Sequence, residues 1–220
     1  MGRGRQQQHG RRDRWRHRHG RRLRRGLDGH HPVAHVETMT EAPAGRDRWR
    51  DIAAAGHSGD VDTALGALSD DDPVSRELAL GALQRLGSLT DAQLAASLGD
   101  VDPRVRRRAA MIAGTRPSIS LLEAMRDRVP TVAEAAAWAA GEQEVVDDAT
   151  MATLIDLATT ASDALVREAA VASLGAIGDE RGLPAILIAC SDKPAVRRRA
   201  VLALAPFEGD DVDAALRIAL

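Results

Sequence analysis

The stretch DVDPRVRRRAAMIAG, Asp100 to Gly114, returns along the chain, and that return limits the available folds more than any other feature. With Pro103 as reference, Pro73, Pro130, Ala164 and Pro194 align with it at successive spacings of 30, 27, 34 and 30 residues. Two residues after the reference stand Ser75, Val105, Val132, Val166 and Val196. Three after it stand Arg76, Arg106, Ala133, Arg167 and Arg197. The sixth position is alanine in every copy: Ala79, Ala109, Ala136, Ala170 and Ala200. The ninth holds Ala82, Ile112, Ala139, Ser173 and Ala203.

Each column has a physical reason. Asp72, Asp102 and Asp163 precede the reference residue, where a carboxylate caps a helix N-terminus, and proline suits the first helical position because its missing N–H has no partner there. The second, sixth and ninth columns fall on one stripe of a helix. Alanine in the middle of that stripe lets a neighbouring helix approach closely. Gly87, Gly114, Gly141, Gly175 and Gly178 lie near the ends, where a left-handed residue stops a helix. A shorter apolar segment precedes each such helix, as in DAQLAASLG and MATLIDLA, so the unit is helix, turn, helix in about 30 residues. One unit buries too little surface to offset an ordering cost of about 1–2 kcal/mol per residue, so neighbours must stack. With no Tyr, one Phe and three Trp, the shared core is aliphatic, which suits close helices better than sheets.

DVDPRVRRRAA, SDALVREAAVASLGAIGD and SDKPAVRRRAVLALA resemble HEAT repeats of the short kind associated with phycobilisome (bilin) lyases. The resemblance covers residues 60–220. It implies an all-α, right-handed α-α superhelix, an armadillo-like solenoid, and leaves function open. The expected organisation is a leader over 1–45 and a solenoid over 46–220. The solenoid comprises a cap helix around Trp49, Ile52 and Ala53, repeats of about 60–89, 90–117, 118–145, 149–180 and 181–209, and a half repeat at 210–220. The resemblance further implies a ladder between repeats in which Asp72, Asp102 and Asp163 meet Arg76, Arg106, Arg167 and Arg197. Val129 and Ala133 occupy those places in the third repeat, so the ladder is interrupted there.

The net charge of −2 conceals a division. Residues 1–38 hold eleven arginines, six histidines and three acids, about +8, and the remainder carries −10. The leader is expected to be disordered for want of apolar residues. It reads either as a cationic arm for nucleic acid or as translated upstream DNA, with a natural start near Met39. At the other end, Val212, Leu216, Ile218 and Leu220 leave an apolar edge, from a shortened chain or for a partner such as a second copy in self-association.

Chemistry is sparse. Residues 39–220 contain a single histidine, His57, in a Gly-flanked turn; Cys190 ends an apolar run and reads as a small buried hydrophobe. One cysteine forms no intrachain disulfide, no apolar run reaches about 20 residues, and a cytoplasmic location is expected. No phosphate loop, HExxH or CxxC pair occurs, and no catalytic, cofactor or metal residue is assigned. Iron hydroxylases of related repeats need His-Glu pairs within the helices, whereas His35 and Glu37 lie in the leader. A bilin lyase needs aromatic residues that this chain lacks. The expected function is a non-enzymatic scaffold or adaptor for a protein or peptide. A lyase-like or accessory enzyme subunit stands as the alternative, and nucleic-acid binding through the leader or the arginine clusters as a further one. Candidate partner-binding residues are Arg76, Arg106, Arg107, Arg108, Trp138, Arg167, Arg197 and Arg198. Trp138, eight after its reference, stands where other repeats have Gly81, Met111, Ala172 and Leu202; it reads as core filling or, if exposed, as the main anchor.

Overall fold

The computed structural model describes residues 45–219. The leader therefore lies outside the described residues except for Gly45, as do the readings placed on Met39, His35, Glu37 and Leu220. The described residues contain twelve α-helices and no strand. They are α1 (Arg46–Ser58), α2 (Val61–Ala67), α3 (Pro73–Leu86), α4 (Asp91–Leu98), α5 (Pro103–Ala113), α6 (Leu122–Met125), α7 (Pro130–Gly141), α8 (Asp148–Thr160), α9 (Ala164–Ile177), α10 (Leu183–Ala189), α11 (Pro194–Ala203) and α12 (Asp210–Ala219). A 3₁₀ turn, Glu180–Gly182, leads into α10.

The arrangement is a solenoid of two helix layers. The second helices of the repeats stack in order, α1 on α3, then α5, α7, α9 and α11. Each of α3, α5, α7, α9 and α11 also packs on the shorter helix before it, and α6, α8, α10 and α12 follow one another in the other layer. Proline opens α3, α5, α7 and α11. Asp72 accepts from Val74 and Ser75 N–H, Asp102 from Arg104 N–H and Asp163 from Leu165 N–H, as caps should. Thr90 and Gln93 form a reciprocal capping box on α4.

All five alanines of the sixth column are fully buried, and the second and ninth columns are buried beside them. The late glycines divide into two kinds. Gly87 and Gly178 have φ of 67° and 68° and end α3 and α9 in left-handed turns. Gly114, Gly141 and Gly175 do not adopt positive φ; they are small because the next helix touches them. A Cβ on Gly141 would lie 2.8 Å from Ser173 Cα, and one on Gly175 would lie 2.6 Å from Ala203 Cα. Gly114 meets Ala139 in the same way. Each of these glycines stands eleven after its reference and packs on the ninth position of the following repeat. A Cβ on Gly56 in α1 would lie 2.9 Å from Ala82 Cα, so the expected cap helix takes the place of a second helix.

Candidate functional site

The repeated arginine forms a ladder, but with carboxylates other than the expected ones. Arg76 Nε and Nη2 donate to Asp100 at 2.8 and 2.7 Å. Arg106 makes the same fork with Asp127 at 2.6 and 3.1 Å, and Arg167 with Asp192 at 2.6 and 2.8 Å. The remaining Nη1 of each arginine donates to two carbonyls of its own preceding turn, such as Asp100 and Val101 for Arg106. One guanidinium thus ties its own loop to the loop of the next repeat. Arg48 of α1 adds a more exposed rung to Asp70. Asp72, Asp102 and Asp163 are turned onto the N–H groups of their own helices, which is why they are caps and not rungs. Asp72 also accepts from Trp49 Nε1. The rung carboxylate sits two or three residues before the reference, on the side of the turn facing the previous repeat. Arg76 holds the Asp100 carboxyl below its ordinary value, Arg106 does the same for Asp127, and Arg167 lowers Asp192 to about 2.

This geometry removes three residues from the expected partner-binding set. The side chains of Arg76, Arg106 and Arg167 are 10–13 % exposed and have their donors committed. Arg197 is exposed beside α12, near Asp211 and Ile218, and makes no ion pair among the described residues. Arg108 lies over Gly81, with Nη2 at 2.9 Å from where a Cβ would stand. Arg107, Trp138 and Arg198 point outward from the second helices.

The outward stripe is the candidate site. Four after the reference come Glu77, Arg107, Glu134, Glu168 and Arg198, a row of mixed sign. Eight after it come Gly81, Met111, Trp138, Ala172 and Leu202. Met111 and Trp138 are 47 % and 45 % exposed, so Trp138 is not core filling. Between them runs a groove of 560 Å³, floored by Gly114, Ala135 and Ala139 and edged by Arg107, Glu134 and Glu142. The Trp138 ring also carries the Arg199 guanidinium, 5.6 Å from its centroid and outside the groove lining. Arg199 reaches α9, where its Nη2 lies 3.4 Å from Glu168. Its Nε is buried without a partner. Sequence reading placed Arg199 in an arginine cluster with Arg197 and Arg198 but did not pair it with Trp138, because no periodicity links positions two repeats apart.

At the C-terminal edge, Val212 of α12 is buried and Ile218 is 88 % exposed. Cys190 is partly buried, and burial pushes its thiol pKa up, which disfavours the thiolate. Among the described residues no cluster of metal-ligating side chains occurs, and no helix is long and apolar enough to cross a membrane. A family model described as HEAT repeats matches residues 118–205 and 153–220. A comparison with curated proteins found no match.

Proposed function

Since residues 118–220 belong to the HEAT-repeat family, we propose that the chain is a non-enzymatic scaffold that holds a protein partner against the outward stripe of its second helices. The observation that supports this reading most is that Met111, Trp138 and Leu202, three exposed large apolar residues, occupy one register position in three repeats. Exposed apolar groups aligned on a rigid face and rimmed by charge are what a protein interface needs. The mixed row of Glu77, Arg107, Glu134, Glu168 and Arg198 suits a polypeptide better than a phosphate backbone, which would meet carboxylates at three of five places.

Site-specific photocrosslinking in the native host tests the proposal. A benzoylphenylalanine at Met111 or Leu202 is expected to capture a protein that the same probe at Ile188, an exposed residue of α10 in the other layer, does not. Equal capture at all three positions, or capture of nucleic acid, refutes it.

A further inference from the structure

Building on the scaffold reading above, we propose that the groove between Met111 and Trp138 receives an α-helix of the partner. That helix is anchored by one uncharged apolar side chain, with Lys or Arg four residues to either side. The anchor follows from the walls. A thioether and an indole face each other over small residues, so an aliphatic or aromatic group fills the gap with apolar contact on three sides. It is uncharged because the Trp138 ring already carries the Arg199 guanidinium, and a second cation on the same ring would meet that charge. The indole is also held by that contact before any partner arrives, which lowers the ordering cost of binding.

The flanks follow from α7. Glu134, Trp138 and Glu142 stand at four-residue steps, about 6 Å apart along the axis, and form an acid–aromatic–acid line. Neither glutamate makes an ion pair among the described residues. A helix lying along α7 repeats the same step, so bases at i−4 and i+4 of its anchor face both acids.

The helical form follows from the amides. An extended segment brings unpaired peptide N–H and C=O groups, which amide side chains can both donate to and accept from. The chain has no asparagine. The glutamines of the described residues are engaged elsewhere: Gln84 with Arg116, Gln93 in the α4 cap, and Gln143 with the carbonyls of Ala113, Arg116 and Ile119. A helix satisfies its own backbone and asks of the groove only apolar contact and charge.

The test is an unbiased selection followed by a charge swap. Displayed random 16-residue peptides are panned against the full chain. Selected peptides are then measured by fluorescence anisotropy on the wild-type, Trp138→Ala and Glu134→Lys/Glu142→Lys proteins, each first shown by circular dichroism to be folded. The expected binders carry an apolar residue with Lys or Arg at i−4 and i+4 and gain helicity on binding. They lose at least tenfold in affinity on Trp138→Ala and on the double charge reversal, and regain it on the latter when their bases are changed to Glu. Binders that need Trp138 but stay extended, or ignore the swap, overturn the helix proposal and leave the scaffold reading standing. A selection with no binder dependent on Trp138 overturns both.

Discussion

One chemical change, glycine to alanine, should have opposite effects at two places in this molecule. In a helix alanine is favoured over glycine by about 0.5–1 kcal/mol, because the glycine backbone loses more freedom on ordering. At Gly66 in α2 nothing lies within 4 Å of an added Cβ, so Gly66→Ala should stabilise by that amount. At Gly175 the same Cβ would stand 2.6 Å from both Cα and Cβ of Ala203. Carbon atoms rest at about 3.5–4.0 Å, so α9 and α11 must part by about 1 Å. The obstacle is backbone, which no rotamer change relieves. Overpacking of this kind costs about 3 kcal/mol at the upper end of its usual range, which outweighs the propensity gain and leaves a net loss of about 2 kcal/mol. With a urea slope of about 2 kcal/mol/M, the unfolding midpoint should fall by about 1 M for Gly175→Ala and rise by up to about 0.5 M for Gly66→Ala. Far-UV circular dichroism in urea measures both, and hydrogen exchange should place the weakened amides in α9 and α11. If Gly175→Ala raises the midpoint as Gly66→Ala does, the glycines are not the seam between repeats and the packing argument fails.

Two further predictions concern the ladder. Arg106→Ala removes four donor contacts and leaves Asp127, about nine-tenths buried, without its paired guanidinium, which should cost about 2–4 kcal/mol. Arg48→Ala, at a rung whose arginine is half exposed, should cost less than about 1 kcal/mol; equal losses in thermal melts would show that burial does not set the strength of a rung. The rung carboxylates Asp100, Asp127 and Asp192 have folded pKa values below the unfolded 3.8. Their contribution is therefore present above about pH 4 and lost as the pH falls through the folded values, which for Asp192 lie near 2. Urea midpoints should stay level from pH 8 to 5 and drop between 4 and 2; a drop already complete at pH 5 would mean that other groups carry the acid sensitivity.

Much of the fold was legible because one helix stripe repeats. The alanine column, the proline starts and the aspartate caps each reflect an interaction within one helix or with its neighbour, and such interactions leave a period in the sequence. The glycines were legible only in part. A left-handed turn and a close approach both select glycine, and the residue type does not separate Gly178 from Gly175. The spacing does: Arg48 and Gly56, Arg106 and Gly114, Arg167 and Gly175 are each eight apart. That spacing also marks α1 as a member of the stack. The rung acids were harder to read because Asp100, Asp127 and Asp192 stand at −3, −3 and −2 from their references, in turns of unequal length, whereas the cap acids stand in perfect register. Register favoured the wrong carboxylates.

The middle repeat shows why the irregular position and the candidate site coincide. α7 has Ala133 where a rung arginine is expected, so no fork ties it to the next turn. It is joined to α9 instead through Gly141 packed on Ser173, whose hydroxyl donates to the Ala137 carbonyl at 2.8 Å in a buried position. A helix held this way can be alanine on nearly every face, and Ala135, Ala136, Ala137, Ala139 and Ala140 are all buried. Small residues toward α5 leave the groove floor low, and α9 carries the small Ala172 one turn after Glu168, the residue Arg199 approaches on its way to Trp138. A bulky side chain at 172 would therefore disturb the site without touching the groove. Ala172→Leu should displace Arg199 from the indole and loosen the ring. It should weaken any ligand dependent on Trp138 while leaving the unfolding free energy within about 0.5 kcal/mol, as expected for an outward position. Unchanged affinity in that variant would show that the stacked guanidinium does not hold the wall in place.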